Sequence, residues 1–537
     1  MIKSQVRDLD NVITIEYVNK RVPIKFRKLK TMQVESDVVI VGGGISGLTA
    51  AYQLHKKDPS LRIHVLEAKD RVGGRTLTVP LKTKTGTDKW DLGGQWVGRC
   101  QPHIMAMLEE LGLETHCQYI DGLKFMQLGD NKVRSFSSDI PSLSIFALLD
   151  LNRILNKIES MREMVDPDDP FKCPHAVEWD SMTVETFLKN NLWTQGARDA
   201  VDACNRCMLG VESSQISVLY YLMYASAAGN FDNLIKATEY KGQEYRIKGG
   251  AQQVCELLAK SVGSKSVLLN HPVVKIEQNV SHAMVHLQNG DVFKCNKVII
   301  ATPPYLTNKI QFDPVLPTDK REIMKRMTIS SIMKIIITFK EAFWRTAGQS
   351  GEIVTNGGPS PSEGCEKGPL CIVYDATTAF DSPALAEERK SAVLQSLSQF
   401  FGQEIWSHLD YKEQNWGVEP YTEGGPVCCV APGAMEYFAS GLRHPFYKLH
   451  FAGTESATVW CGFMNGAVQS GIRAAHEVLY HLRPQSVSPL ELADTAYRQT
   501  AKLMPKKKGG KMKKAAVVTI SLSVILLTMA LLKKRIL

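Results

Sequence analysis

A glycine-rich segment near the start of the chain has the spacing of a phosphate-binding turn. Gly42, Gly44 and Gly47 form the pattern Gly-x-Gly-x-x-Gly. In such a turn the glycines permit a tight bend and close approach of a pyrophosphate, and the free N–H groups at the helix start bind phosphates. The pattern alone also fits a purely structural turn. Glu67 lies twenty residues after Gly47, where a carboxylate would bind ribose hydroxyls, and it favours dinucleotide binding.

The residues that flank the turn predict the elements that would position it. Val38 to Val41 is an unbroken apolar run, as expected for a strand that is buried on both faces. A helical stretch follows from about Ser46 to His55, and Ile63 to Leu66 forms a second apolar strand that leads into Glu67. The glycines therefore lie between a strand and a helix, and the carboxylate lies at the end of the next strand. This arrangement indicates an α/β dinucleotide-binding unit.

Strand-forming segments recur much later in the chain and are separated by long helical tracts. The later elements are the strands Val267–Leu269, Val273–Ile276, Met284–Leu287 and Lys297–Ala301, a turn at Asn289-Gly290, and a helix at Asn465–Leu482. Residues 140–230 are helical in pattern, and residues 330–415 are mixed. A cofactor domain assembled from separate stretches, with a second domain in the gaps, is the natural interpretation.

The residues after Glu67 distinguish a nicotinamide from a flavin cofactor. Residues 68–76 read Ala-Lys-Asp-Arg-Val-Gly-Gly-Arg-Thr. This string resembles the second flavin-contact motif of the glutathione-reductase-like flavoproteins, especially the amine oxidases among them. The resemblance implies FAD as the cofactor and Arg75 as a fixed cation at its pyrophosphate. Residues 91–98 look like the family's loop beside the flavin ring, so Gly94, Gln95 and Trp96 are expected to border that ring.

The resemblance to the flavin-containing monoamine oxidases extends over about residues 36–485. Val273, after Pro272, matches the family valine whose backbone meets the adenine, and Trp416 matches a tryptophan that lines the flavin. Residues 451–458, Phe-Ala-Gly-Thr-Glu-Ser-Ala-Thr, strongly resemble the C-terminal flavin motif. The resemblance implies further cofactor contacts at Ser46, Gly453, Glu455 and Met464.

Lys334 matches the family lysine that holds a water against flavin N5. It lies within a predicted strand that contains Ile332, Ile335 and Ile336. A lysine inside such a strand is costly to bury without a polar partner, so burial would point to a function. The alternative is a lysine on the exposed face of the strand.

Three features of the sequence depart from the family, and all of them concern the flavin or the substrate. Gly425 stands where monoamine oxidases carry the cysteine that is thioether-bonded to the flavin, and Cys428 and Cys429 come too late to replace it. Non-covalent FAD is therefore expected. The family's two face-to-face tyrosines are replaced by Pro426 and Phe463, and a glutamine near the substrate cavity is replaced by Ala227. These changes fit either a different substrate or weakened amine oxidation.

The reaction that the resemblance implies is oxidation of an amine by O₂, with hydrolysis to an aldehyde and ammonia and with hydrogen peroxide as by-product. The cofactor does the redox chemistry, so the protein mainly positions the amine. Lys334 and Phe463 are the expected catalytic residues, with Lys334 organising the water and Phe463 guiding the approach of the amine. A flavin-binding protein that has lost efficient catalysis and acts as a binding or scaffold protein is the alternative.

The expected fold class is α/β plus α+β, with a Rossmann-like, glutathione-reductase-like FAD domain, a discontinuous substrate domain and one C-terminal transmembrane helix. The predicted boundaries are an N-terminal extension at 1–35, the FAD domain at 36–115, 232–323 and 419–485, the substrate domain at 116–231 and 324–418, a basic linker at 486–514, and a membrane anchor at 515–532.

The C-terminal tail concentrates much of the basic charge of the chain. The formal net charge is +9, and a large share of the excess is carried by lysines and by Arg535 within the last forty residues. Between these charges, Ala515 to Leu532 contains eighteen uncharged residues, which as a helix would span about 27 Å. The tail is therefore expected to bind membrane lipid. It resembles the anchors of the mitochondrial outer membrane, with the catalytic domain facing the cytosol, and the endoplasmic reticulum is the alternative.

The composition argues against nucleic acid and metal ions as binding partners. Outside the tail there is no basic and aromatic stripe that would suggest nucleic acid. The twelve cysteines do not show the spacing of a disulfide-linked secreted domain, so free thiols are expected. Cys204 and Cys207 are not followed by a second pair at the spacing of a zinc site, so no metal is expected. A homodimer is possible.

Overall fold

In the computed structural model, the chain is described over residues 32–129, 131–137, 140–361, 366–375 and 386–497, together with two short strands near the N-terminus. The strands are, in chain order, β1 (Glu16–Tyr17), β2 (Lys20–Arg21), β3 (Gln33–Glu35), β4 (Val38–Val41), β5 (Ile63–Leu66), β6 (Thr78–Thr83), β7 (Gly86–Asp91), β8 (Trp96–Val97), β9 (Thr115–Cys117), β10 (Leu123–Leu128), β11 (Lys132–Phe136), β12 (Tyr245–Ile247), β13 (Val267–Leu268), β14 (Val273–Gln278), β15 (Ala283–Leu287), β16 (Val292–Cys295), β17 (Lys297–Ile300), β18 (Gln311–Asp313), β19 (Met327–Ile329), β20 (Met333–Thr338), β21 (Gln349–Thr355), β22 (Ile372–Val373), β23 (Asp410–Asn415), β24 (Cys428–Val430) and β25 (Leu449–Phe451).

The helices are α1 (Ile45–Lys57), α2 (Pro102–Glu110), α3 (Ile145–Arg162), α4 (Ala176–Asp180), α5 (Val184–Asn191), α6 (Gln195–Leu209), α7 (Val218–Ala227), α8 (Phe231–Ile235), α9 (Gln252–Val262), α10 (Pro304–Thr307), α11 (Thr318–Arg326), α12 (Phe343–Thr346), α13 (Ala386–Phe401), α14 (Phe438–Arg443) and α15 (Met464–Leu482). Short 3-10 helices lie at Pro170–Lys172, Ser213–Gln215, Gln403–Ser407, Trp416–Val418, Met435–Tyr437, Thr454–Ser456 and Pro484–Ser486.

A parallel five-stranded sheet with the order β13-β5-β4-β17-β25 contains the two strands that flank the glycine-rich turn and the first helix. All four residues of β4 and of β17 are buried, which explains why β4 is a continuous apolar run and why only apolar residues follow Lys297 in β17. The strands come from three distant parts of the chain, and each part falls within one of the segments predicted for the FAD domain. The domain boundaries themselves stay a prediction.

The two faces of the parallel sheet are covered by different layers because successive strand residues point in opposite directions. Val38 and Ile40 pack in one core with residues of α1 and α15 such as Leu48 and Leu479. Val39 and Val41 belong to a second core that also contains residues of a mixed sheet with the order β18-β14-β15-β16-β3. Gln33–Glu35, at the end of the predicted N-terminal extension, form the edge strand of that mixed sheet.

The predicted helical tract is helical as expected, and α3, α6 and α7 contribute to the second core. Beside it lie a four-stranded sheet with the order β11-β10-β21-β22 and the antiparallel pair β20–β23. A separate small core joins β20 and β21 to α13.

The predicted membrane anchor at 515–532 lies outside the described residues. Within the described part of the chain, no helix combines the length and the apolar character that crossing a bilayer requires.

Candidate active site

The glycine-rich turn has the geometry that its spacing predicts. Gly42 has a φ of +108°, which favours glycine, and α1 begins directly after Gly44. A Cβ at Gly47 would lie 2.1 Å from the carbonyl oxygen of Gly42, so only glycine lets the helix pack this closely on the turn. A Cβ at Gly44 would meet nothing nearer than 3.9 Å. The second glycine therefore faces open space, where a pyrophosphate can approach the backbone.

The carboxylate of Glu67 is held rigidly at the end of β5. One oxygen accepts a hydrogen bond from the backbone N–H of Gly43 at 2.6 Å, and the other accepts from that of Lys69 at 2.9 Å. Glu67 is buried, and burial raises the pKa of its carboxyl group although both hydrogen bonds act to lower it. Each oxygen retains a lone pair for a further donor such as a ribose hydroxyl.

Arg75 forms an ion pair with Glu455, which joins two motifs that the sequence places far apart. The guanidinium donates to both carboxylate oxygens of Glu455, at 2.5 and 3.0 Å, and to the carbonyl oxygen of Pro426 at 2.8 Å. Burial acts to raise the pKa of the Glu455 carboxyl group, but the Arg75 charge holds it below its usual value. Arg75 also lines the central cavity, whereas Glu455 lies behind it. A contact of Arg75 with the pyrophosphate stays a prediction.

Ser46 connects the first helix to the C-terminal motif. Its hydroxyl oxygen accepts a hydrogen bond from the backbone N–H of Gly453 at 2.8 Å and lies 3.0 Å from the hydroxyl of Ser470. Val273 lines the same cavity on the side of Glu67. The predicted contacts of the ADP half are thus brought together from three parts of the chain.

Lys334 points inward from β20 and is buried, as the functional interpretation expects. Its ammonium group donates to the carbonyl oxygen of Gly93 at 3.0 Å and to Oε1 of Gln95 at 2.5 Å. Burial lowers the pKa of Lys334 to about 7, and the nearby carboxylate of Asp91 only partly offsets this effect. The lysine can therefore gain or lose a proton near neutral pH while it lines the cavity.

The residues predicted to border the flavin ring surround Lys334. The indole N–H of Trp416 donates to the carbonyl oxygen of Leu92 at 2.9 Å, and that of Trp96 donates to Oε1 of Gln118 at 2.9 Å. Met464, the first residue of α15, lies next to Gly94: a Cβ on that glycine would be 3.9 Å from its side chain. All of these residues except Leu92 and Gln118 were expected at the site from the sequence.

One continuous cavity of about 980 Å³ reaches from Glu67 and Val273 at one end to Lys334, Phe463 and Tyr224 at the other. Its size lies at the upper end of the range for small-molecule sites. The buried amide nitrogen of Gln95 has no hydrogen-bond partner among the described residues. A glycine cradle, a carboxylate at the strand end and an unpartnered buried donor fit a dinucleotide with a polar ring system. The fold and the cavity therefore define an α/β dinucleotide-binding protein.

The part of the cavity near Phe463 contains a residue, Tyr224, that the sequence analysis did not single out. The rings of Phe463 and Tyr224 lie 5.9 Å apart with an interplanar angle of 35°. Tyr224 comes from the buried helix α7, where its position among apolar residues gave no sign of a site. Pro426 lines the cavity, but Ala227 does not: it lies at the end of α7, and its carbonyl oxygen accepts from the N–H of Trp460 at 2.7 Å.

Gly425 lines the cavity, and a Cβ at this position would meet no atom within 4 Å. Cys428 and Cys429 are fully buried in β24 and are not among the residues that line the cavity.

Two ion pairs at the cavity were also not predicted. Lys124 and Glu352 pair at 3.1 Å, and the ammonium group of Lys69 pairs with Glu419 at 2.7 Å. Each pair joins residues more than two hundred positions apart, so no local pattern could have indicated it.

Comparison with known proteins identifies the family. The model of the flavin containing amine oxidoreductases matches residues 45–479. A probable flavin-containing monoamine oxidase A of Dictyostelium discoideum is 33% identical over 461 residues, covering 82% of this chain and 97% of that protein. A flavin-containing amine oxidase of Oncorhynchus mykiss is 35% identical, covering 85% of this chain and 88% of that protein.

Solved structures give the same result. A putrescine oxidase variant from a redesign of cofactor binding is 28% identical with a TM-score of 0.76, covering 83% of this chain and 100% of that chain. Cyclohexylamine oxidase from Brevibacterium oxydans is 28% identical with a TM-score of 0.74, covering 83% and 99%. The chain belongs to the flavin-containing amine oxidoreductase family. It is a flavin-dependent amine oxidase related to the monoamine oxidases, and its cofactor is FAD.

Proposed function

We propose that this enzyme oxidises a small amine with O₂ and yields an aldehyde or imine product, ammonia and hydrogen peroxide. The observation that carries the proposal is the single cavity that joins the dinucleotide end at Glu67 to the buried Lys334 and the aromatic rings of Phe463 and Tyr224. When bound, FAD supplies the redox chemistry, taking electrons from the amine and passing them to O₂.

The chain's own residues position the amine and control its charge. A charged ammonium is costly to transfer into a cavity with mostly apolar walls, so the site favours the neutral amine. The rings of Phe463 and Tyr224 form an aromatic side of the cavity along which the substrate can be oriented. Lys334 holds a proton close to the reacting end, and its pKa of about 7 lets it donate or accept that proton near neutral pH.

FAD is held without a covalent bond in this proposal. Gly425 has no side chain that could form a thioether, and Cys428 and Cys429 lie buried behind the cavity wall. Retention then depends on the backbone turn at Gly44 and on the carboxylate of Glu67.

A second candidate function is flavin binding without efficient amine oxidation. The replacement of one tyrosine by Pro426 favours it, because proline has no π face to oppose Phe463. The purified FAD protein should be mixed without O₂ with a panel containing an arylalkylamine, a diamine and an alicyclic amine. Bleaching of the visible flavin band by any of them supports the enzyme. A flavin that stays oxidised with every amine, while dithionite still reduces it, supports the binding protein.

The proposed function also includes a membrane location, a division into two parts and an oligomeric state. Residues 515–532 anchor the enzyme in the mitochondrial outer membrane with the catalytic part in the cytosol, and the endoplasmic reticulum is the alternative site. The FAD part comprises 36–115, 232–323 and 419–485, and the substrate part comprises 116–231 and 324–418. The proposed assembly is a homodimer, and sedimentation in detergent measures the oligomeric state.

A further inference from the structure

Two free cysteines meet at the wall of the substrate cavity. Cys207 lies near the end of α6, and Cys371 lies directly before β22. Their sulfur atoms are 3.2 Å apart although 164 positions separate the residues in the chain. Both are free thiols in the structure, and Cys207 lines the cavity whereas Cys371 is buried behind it.

We propose that Cys207 and Cys371 form a peroxide-driven disulfide site that responds to turnover. The inference rests on the proposed function, which releases hydrogen peroxide into this cavity. Cys207 attacks the peroxide O–O bond as a thiolate and becomes a sulfenic acid with loss of one water. The thiol of Cys371 then attacks the Cys207 sulfur, the S–O bond breaks and a second water leaves. Two thiols and one peroxide give one disulfide and two waters, and two electrons pass to the peroxide.

The order of the two cysteines follows from their positions. Cys207 lines the cavity, where peroxide can reach it, whereas Cys371 does not line the cavity and lies 3.2 Å from the Cys207 sulfur. The hydrogen bond to Cys371 and burial raise the pKa of the Cys207 thiol, and the guanidinium of Arg206 acts in the opposite direction. A thiol with a raised pKa reacts slowly because the thiolate is the nucleophile. The disulfide therefore accumulates over many turnovers instead of forming in each one.

The link would constrain the cavity because it joins two of its walls. Ala200 and Met208 of the α6 segment line one side, and Val354 of β21 and Ile372 of β22 line the other. A disulfide has an S–S length of about 2.05 Å, so the two sulfur atoms must approach by about 1 Å. The backbone on the Cys371 side is anchored, because its carbonyl oxygen accepts from the N–H of Thr355 at 2.8 Å. We expect bulky amines to enter the cavity more slowly once the disulfide links its two walls.

Added peroxide tests the site independently of catalysis. The full-length FAD protein is exposed to hydrogen peroxide, its remaining thiols are alkylated, and its peptides are mapped by mass spectrometry. We expect a dithiothreitol-sensitive peptide pair linked through Cys207 and Cys371. Cys117 is exposed and serves as the internal standard for oxidation. Recovery of both Cys207 and Cys371 as alkylated thiols, under conditions that oxidise Cys117, overturns the proposal.

Substitutions test the order of events. In Cys371→Ser, dimedone should label Cys207, because the sulfenic acid has lost its resolving thiol. In Cys207→Ser, Cys371 should remain unlabelled. Cys204→Ser is the matched control, since Cys204 lies one turn earlier on the same helix and also lines the cavity. The link should form in this control as in the unchanged protein. A control that forms no link, or an unchanged protein that links Cys204 to Cys207, refutes the pairing.

The final experiment tests whether peroxide produced during catalytic turnover forms the disulfide. Amine with O₂ should accumulate the linked peptide, and the same amine without O₂ should not. The kcat/KM for a bulky amine should fall several-fold and recover with dithiothreitol, and Cys371→Ser should show no such fall. Oxygen consumption without the link overturns the inference and leaves the proposed function intact. If no amine consumes oxygen, the proposed function fails, and the added-peroxide arm still decides whether the site exists.

Discussion

Lys334→Met should change how the stability of the protein depends on pH. The pKa of Lys334 is lowered from 10.5 to about 7, mainly by burial. Each pKa unit corresponds to about 1.36 kcal/mol, so its charged form is disfavoured by about 5 kcal/mol in the folded state. Because the folded pKa is the lower one, this penalty is fully present below pH 7, decreases as the pH rises and vanishes above pH 10.5.

The stability cost of burying Lys334 at pH 7 and at pH 9 follows from the pKa values of this lysine in the folded and unfolded states. At pH 7 the folded lysine is half protonated and the unfolded lysine fully protonated, which costs about 4 kcal/mol of stability. At pH 9 the cost is about 2 kcal/mol. Unmodified protein should therefore gain about 2 kcal/mol over Lys334→Met between pH 7 and pH 9. The lost hydrogen bonds to Gly93 and Gln95 add an offset that does not depend on pH.

Urea unfolding of the FAD protein at pH 7 and pH 9, followed by tryptophan fluorescence, measures this difference. Lys320→Met is the matched control: Lys320 is buried, burial lowers its pKa to about 7, and its ammonium group donates to the carbonyl oxygen of Gly441 at 2.9 Å. It does not line the active-site cavity. Measured against either variant, the unmodified protein should show the pH-dependent gain in stability, but only Lys334→Met should slow the oxidation of the flavin by O₂. A stability difference for Lys334→Met that is equal at both pH values refutes the titration of this lysine.

Three further outcomes are expected. Glu67→Ala should weaken FAD retention by about 10- to 100-fold, because charged hydrogen bonds contribute about 1.5–3 kcal/mol, and the flavin content after purification measures it. Trichloroacetic acid should release FAD into the supernatant, because Gly425 cannot form a thioether. Residues 501–537 fused to a fluorescent reporter should go to the mitochondrial outer membrane, because a short, moderately apolar span suits a thinner membrane. The reporter should move to the endoplasmic reticulum when the last three charges are neutralised, at Lys533, Lys534 and Arg535.

Each of these outcomes has its own control. Glu110→Ala removes a surface carboxylate that pairs with Lys56 and should leave FAD in place. A fully flavinated Glu67→Ala protein counts against the ribose contact. Flavin that stays with the acid precipitate points to Cys428 or Cys429. A reporter with the unmodified tail that is found on the endoplasmic reticulum contradicts the mitochondrial anchor.

Local motifs were predictable because neighbouring residues form them. The strand β4, the glycine turn and the strand β5 follow one another in the chain, so their spacing fixes where Glu67 lies relative to Gly44. The burial of Lys334 was also foreseeable, because its strand is otherwise isoleucine-rich. In these cases the geometry of a single strand or turn decides the outcome.

Contacts between distant segments depended on the tertiary structure. Arg75 meets Glu455 across 380 positions, and Tyr224 of α7 packs against Phe463, which directly precedes α15. The pairing of Cys207 with Cys371 has the same origin: Cys204 and Cys207 lie on one helix, whereas the sulfur nearest to Cys207 belongs to Cys371, which is 164 positions away in the chain. Sequence spacing determines which side chains share a helix or a strand, and packing of the sheets and helices determines which of them meet across the cavity.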